Sequence, residues 1–356
     1  MFYIHQTCCI SPQQTYTDPD INMLVESAGN KLTVIEPSCE GIPMKVLRRM
    51  NKGVRIGVGA ALPLIQGLQE LSGIIIGTAN GGMEESILFL NQIIEYNEGI
   101  LMPGNFVQST ANAAASQLSL LSHNKGYNMT HVHRGTAFEN AVIDAAMMLK
   151  ENRRHSYLLG AVDEISGYNY KFEQIEGWYK KEVVSNKHLY KSDSPGTIPG
   201  EGAVMFLVNN VKHNALAKLA AITTIHSENA MTVKHIMEDF LTNHVLAEGN
   251  IDLLLTGEDG DNRFEHFYLQ CEALMDSNVT VARFKHMSGT YPTASAFALW
   301  LACRALTSQT LPGHMIKKQG SQTGYKNILI YNHDKGKQHS LMQVTITADG
   351  VHGKTL

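Results

Sequence analysis

The sequence predicts an α/β protein in which helices cover both faces of strands buried along their length. Short apolar runs bounded by turn residues, such as Gly73-Ile74-Ile75-Ile76-Gly77 and residues 156–164, have strand length and lack the alternation of a half-exposed sheet. Longer stretches with apolar residues at helical spacing lie between them, the alternation expected when helices pack on both sides of a sheet. With 356 residues, 44% hydrophobic and 17% charged, the chain can bury one large core or two fused ones. The order of elements recurs in residues 1–210 and 211–356, which suggests two duplicated halves joined in one compact unit.

Taken in order, Phe2–Ile10 reads as an opening strand stopped by Ser11-Pro12, and a polar, irregular stretch follows to about Cys39. Residues 43–50 suit a helix, with Pro43 in the first turn and Met44, Leu47 and Met50 on one face. Residues 54–64 are apolar, but Gly57, Gly59 and Pro63 weaken a helical reading. The Gly73–Gly77 strand feeds Thr78-Ala79-Asn80-Gly81-Gly82 and a helix over 83–96. Residues 105–122, rich in Ala, Ser, Asn and Gln, predict one helix of small side chains suited to close packing. A strand near Thr130, a helix over 141–150 and the strand over 156–164 come next. Residues 167–200 are polar, hold Ser194-Pro195-Gly196 and Pro199-Gly200, and read as an excursion before a strand over 200–208. In the second half, strands over 216–225, 251–255, 279–284, 326–331 and 341–347 alternate with helices over 233–246, 264–275 and 294–307.

Composition excludes several classes of function. The net charge is −4, with no basic block of the kind that binds nucleic acid. Met1-Phe2-Tyr3-Ile4-His5-Gln6 lacks the charged and apolar regions of a signal peptide, and no apolar run reaches the ~18 residues of a membrane span. The five cysteines (Cys8, Cys9, Cys39, Cys271, Cys303) are odd in number and follow no CxxC spacing, which suits free thiols in the cytoplasm.

The stretch with chemical content runs Thr130-His131-Val132-His133-Arg134-Gly135-Thr136-Ala137-Phe138-Glu139-Asn140-Ala141. A strand, a tight glycine turn and a small-residue helix start make a nucleophile-elbow pattern. That geometry projects one side chain at a helix N-terminus, where backbone N–H groups favour a thiolate or alkoxide. The tip is Gly135, which has no side chain: the pattern has the shape for covalent chemistry and lacks the atom. His131 and His133 share a strand face, but no third ligand is spaced nearby, so no metal site is expected. Gly77-Thr78-Ala79-Asn80-Gly81-Gly82 lacks both the Gly-Lys-Ser/Thr ending and the GxGxxG spacing of phosphate cradles, so no nucleotide cofactor is expected. Asp259-Gly260-Asp261-Asn262 with Glu265 has the wrong spacing for a calcium loop.

An ordered series of segments resembles the β-ketoacyl-acyl-carrier-protein synthases. It comprises the opening strand to Pro12, Arg48-Arg49-Met50, residues 76–82, Asn112-Ala113-Ala114-Ala115-Ser116-Gln117-Leu118-Ser119, Gly200-Glu201-Gly202-Ala203 and Phe284-Lys285-His286-Met287-Ser288-Gly289. The resemblance covers nearly the whole chain and implies the duplicated, thiolase-like five-layer αβαβα fold. It also maps the family's chemistry onto positions that have lost it. The nucleophilic cysteine falls on Gly135 (Thr136 with a one-residue slip), and the two histidines fall on Thr256 and Thr290. The supporting lysine is retained as Lys285. The C-terminal glycine-rich loop, with its gating Phe and oxyanion N–H, becomes Asn332-His333-Asp334-Lys335-Gly336-Lys337-Gln338-His339. His133, Arg134, Thr136, Phe138, Gly200, Glu201 and Gly202 are the expected pocket residues.

A glycine cannot be acylated on its side chain, and threonine hydroxyls replace two imidazoles poorly as donors to a developing enolate. The resemblance therefore implies a chain-length-factor-type subunit, not catalytic alone, that pairs with an active ketosynthase homologue in type II fatty acid or polyketide (polyene or resorcinol pigment) synthesis. An acyl carrier protein is a further possible partner, the stretch from Asn105 to Gln117 being the implied dimer seam. Two alternatives stay open: an acyltransferase or 3-oxoacyl synthase with a relocated site using His133, Thr136 or Lys285, and a homodimeric acyl-binding scaffold.

Overall fold

The apolar run Gly73–Gly77 forms strand β2, buried at every residue, as its lack of alternation requires. In the computed structural model, which describes residues 1–27, 29–38, 41–68, 70–99, 101–245 and 249–347, β2 lies between two parallel neighbours. These are β3 (Tyr127–His131) and β4 (Ser156–Asp163). Strand β5 (Gly202–Asn209) runs antiparallel to β4, and β1 (Phe2–Ile10) antiparallel to β5. The second half repeats the arrangement. There β7 (Leu253–Thr256) lies between its parallel neighbours β8 (Thr280–Arg283) and β10 (Asn327–Asp334). Strand β11 (Gln338–Thr345) is antiparallel to β10, and β6 (Ala217–His226) antiparallel to β11. A short β9 (Ile316–Lys318) extends the far edge.

Hydrogen bonds link the strands in the order β3-β2-β4-β5-β1-β6-β11-β10-β7-β8-β9. With the edge strand β9 left out and the others numbered within each half, both halves read 3-2-4-5-1 with the same strand senses. The duplication that residue identity leaves faint is explicit in the topology.

The helices are α1 (Met44–Leu47), α2 (Lys52–Ile65), α3 (Met83–Glu95), α4 (Pro103–Gln108), α5 (Ala113–Ser122), α6 (Ala137–Glu151), α7 (Gly167–Ile175), α8 (Ala230–Phe240), α9 (Glu265–Ala273), α10 (Lys285–Ser288) and α11 (Ser295–Ser308). Helices α6 and α11 form the middle layer: Phe138, Val142 and Leu149 share one core with Phe297, Trp300 and strand residues of both halves. Helices α2 and α5 cover the outer face of the first half-sheet, and α8 and α9 that of the second. This gives the five layers. Among the described residues no helix is long and apolar enough to cross a membrane.

Several elements depart from the sequence expectation. Residues 52–65 are a full helix despite Gly57, Gly59 and Pro63. Asn51 caps it, its Oδ1 accepting the Val54 N–H at 2.7 Å, and Pro63 falls in the last turn. Residues 105–122 split into α4 and α5, because Ser109, Thr110 and Asn112 satisfy local bonds in place of a continuous helix. Helix α6 starts at Ala137, directly on the elbow. The stretch 167–200 contains α7, capped by Ser166 Oγ, which accepts the Asn169 N–H at 3.1 Å. Residues 332–339 form a β-hairpin and not an open loop. The expected helix to 246 ends in a π-helical turn, Leu241–Val245; residue 246 and Cys39 lie outside the described residues.

Candidate functional site

The elbow is built as the sequence predicts. Strand β3 ends at His131, a tight turn of Arg134–Thr136 follows, and α6 begins at once. Arg134 holds a φ of +47°, the left-handed region that a non-glycine residue enters only when its surroundings impose it. Gly135, next along, is buried.

The hairpin of β10 and β11 closes over this point. Lys335 and Gly336 both take positive φ (+53° and +65°), and the Lys337 N–H bonds to Asp334 O at 3.0 Å. That turn sets Asp334 opposite Gln338 as the last pair of the hairpin. A β-carbon at residue 135 would lie 2.1 Å from Asp334 Cβ. The Gly135 N–H itself donates to Gln338 Oε1 at 3.0 Å.

Thr256 ends β7, fully buried, and its hydroxyl has no hydrogen-bond partner. Thr290 follows α10; its Oγ1 lies 2.8 Å from Thr197 Oγ1, and its carbonyl accepts the Gly200 N–H at 3.0 Å. Lys285 opens α10 at 1% exposure. Burial lowers its pKa to about 8, against the pull of Asp259, Asp334 and Glu139. Burial in turn pushes Asp259 up to about 6 and raises both Asp334 and Glu139. Three buried carboxyls thus share the field of one lysine.

Beside the elbow lies a cleft of about 60 Å³, walled by Arg134, Gly200, Thr290, Asp334 and Lys335 with the aromatic face of Trp178. Drug-sized ligand pockets run to ~300–1,000 Å³, so the cleft has no room here for an extended acyl chain. Lys335 pairs with Glu173 at 2.5 Å and sits 4.6 Å over the Trp178 ring, and Arg263 lies 4.9 Å over the same ring.

The expected pocket residues separate into groups. Arg134 and Gly200 line the cleft, while His133 is exposed outside it and Thr136 is buried at the end of the turn. Phe138 lies in the middle-layer core, 5.9 Å from the Phe206 ring. Glu201 is fully buried, paired with Lys52 and accepting the N–H groups of Val34 and Ile165 at 2.9 Å each. Gly202 makes room for Tyr291, whose hydroxyl would stand 2.7 Å from a β-carbon there. Phe138, Glu201 and Gly202 therefore sit in packing, away from the cleft lining.

Asp163, Asp334 and Gln338 were not singled out from the sequence. Asp163 accepts from Thr78 Oγ1, the Ala79 and Asn80 N–H groups and Thr293 Oγ1 at 2.7–3.1 Å, tying the turn after β2 to the start of α11. A carboxylate ending an apolar strand was its available signal. Among the described residues, no three His, Cys, Asp or Glu side chains gather as a metal site.

Residues 26–179 match the family model described as the β-ketoacyl synthase N-terminal domain. Among solved structures, a β-ketoacyl synthase from Burkholderia phymatum STM815 superposes with a TM-score of 0.78 at 14% identity, covering 97% of this chain and 99% of that one. The protein has the ketosynthase fold. The ishigamide ketosynthase/chain length factor superposes on this ketosynthase-like chain with a TM-score of 0.76 at 12% identity, over 97% of this chain and 98% of that one. The ketosynthase ApeO in complex with its chain length factor ApeC, from Xenorhabdus doucetiae, gives 0.74 at 12% over the same shares. No curated protein matches the sequence.

Proposed function

We propose that this ketosynthase-like chain is an auxiliary subunit of chain-length-factor type, which pairs with an active β-ketoacyl-acyl-carrier-protein synthase and does no condensation itself. The observation that carries the reading is Gly135 at the elbow tip: no side chain there can hold an acyl group. Thr256 and Thr290 in place of imidazoles remove the donors that decarboxylation needs.

The pairing is supported by the edge of the first half-sheet. Strand β3 ends the strand order, and Met129 and Val132 (39% and 53% exposed) stand on and beside it. Leu120 of α5 and Phe106 and Val107 of α4 are also exposed. An open strand edge and exposed apolar side chains suit a protomer of the same fold, in an interface of the obligate, apolar kind.

Co-expression with candidate ketosynthases, affinity pull-down and native mass measurement test the reading. The expected result is a one-to-one complex whose condensing activity disappears when the partner's cysteine is replaced. Condensation of acyl and malonyl carrier-protein substrates by the isolated chain would overturn it. The relocated-site alternative, using His133, Thr136 or Lys285, predicts instead a covalent acyl adduct, read as intact mass after incubation with acyl thioesters; His133 is exposed outside the cleft and Lys285 is buried off its lining.

A further inference from the structure

We propose that the β10–β11 hairpin is a built-in plug of the elbow: Asp334 fills the space a nucleophilic side chain would need, and Gln338 occupies the N–H that would receive a substrate carbonyl. The inference rests on the auxiliary-subunit reading and deepens it, since the site is then closed as well as unarmed.

The steric part is specific. A β-carbon on residue 135 would meet Asp334 Cβ at 2.1 Å and Cγ at 2.9 Å. The nearer atom is attached directly to the β10 backbone, so a rotamer change does not move it, and only a shift of the hairpin would make room. The polar part is equally direct. Gln338 Oε1 accepts the Gly135 N–H at 3.0 Å, and its Nε2 reaches His133 O and Thr136 Oγ1 at 3.5 Å each. One amide thereby spans the turn whose N–H would otherwise bind an oxyanion.

Register explains why both side chains arrive together. Asp334 and Gln338 are directly opposed across the hairpin, so they project from the same face of the sheet. Charge explains what remains of the old machinery. Lys335, Lys285 and Arg134 all act on the Asp334 carboxyl. Lys285 thus has a use, as counter-charge to the plug, in a chain without the histidines it would support.

The test asks whether restoring the thiol alone restores an accessible site. Gly135→Cys, Asp334→Gly and the double variant are compared by thermal unfolding and by iodoacetamide labelling read as intact mass against the wild-type chain. The expected result is a lowered midpoint and no added label for Gly135→Cys. The double variant is expected to recover its midpoint and to gain one label, because removing Asp334 joins position 135 to the cleft that Asp334 lines. A folded Gly135→Cys chain with the wild-type midpoint, labelled as fast as the double variant, would overturn the plug. Should Gly135→Cys fail to fold, Gly135→Ala decides the matter. Rescue of its stability by Asp334→Gly supports the plug, and simple additivity of the two changes refutes it. None of these readouts involves a ketosynthase, so the plug and the pairing fail separately.

Discussion

At the end of β4 two neighbouring acids have different surroundings. Asp163 is held by four hydrogen bonds, whereas Glu164 is burdened by burial and by Glu85 and Glu201 and is pushed up to about 7 from the usual 4.5. The Gly53 N–H and Lys52 only partly relieve it. A carboxyl whose folded pKa lies above its unfolded value weakens the fold when ionised. That penalty is complete above about pH 7 and fades as pH falls to 4.5. Glu164→Gln is therefore expected to be more stable than wild type at pH 8, by on the order of 1–3 kcal/mol, and equal to it near the acid end of that window. Urea unfolding at both pH values measures this; a constant difference across the range would refute it. At the same scale, Gly135 in its turn and Lys285 in its Phe-Lys-His segment were legible from their neighbours in sequence. Asp334 and Gln338 were not, because their importance depends on lying some 200 residues away in the chain yet against the elbow.

Among the elements, α2 shows how tertiary packing overrides local propensity. Gly57 and Gly59 argue against a helix, yet α2 is helical throughout, packed against α5, β1, β4 and β5. At Gly57 the approach is not extreme: a β-carbon there would lie 3.5 Å from Ala114 Cβ and 3.6 Å from Val162 Cγ2, ordinary contact distances. Gly57→Ala is accordingly expected to stabilise the protein by about 0.5–1 kcal/mol, through lower unfolded-state entropy and better helix propensity. A raised thermal midpoint would bear this out, and a lowered one would refute it. The β10–β11 hairpin is the converse case. Its strands were expected from their apolar runs, but the polar residues between them were read as a loop. Cross-strand pairing extends order through Asp334 and Gln338, so the turn is only Lys335-Gly336-Lys337.

For the whole molecule, the middle layer decides stability. Phe297 is fully buried on α11, 5.5 Å from the Trp300 ring and 6.3 Å from that of Phe284, in a core shared by both halves. Phe297→Ala is expected to cost about 3–5 kcal/mol, the range for removing a large buried aromatic. Because the core is common, both halves should lose stability together in one unfolding transition. Hydrogen exchange resolved along the chain would show it; loss of protection confined to residues after Ala217 would argue for independent halves.

The sequence by itself determined the alternation of strand and helix, the buried character of the strands and the glycine turn between β3 and α6. These follow from local chemistry: apolar period and turn residues. The tertiary structure alone decided that both halves share the order 3-2-4-5-1 once the edge strand β9 is set aside, that Phe138, Glu201 and Gly202 are packing residues, and that Asp334 of the hairpin lies against Gly135. Each of these depends on which distant segments meet, and contacts between residues 135 and 334 leave no local pattern in either stretch.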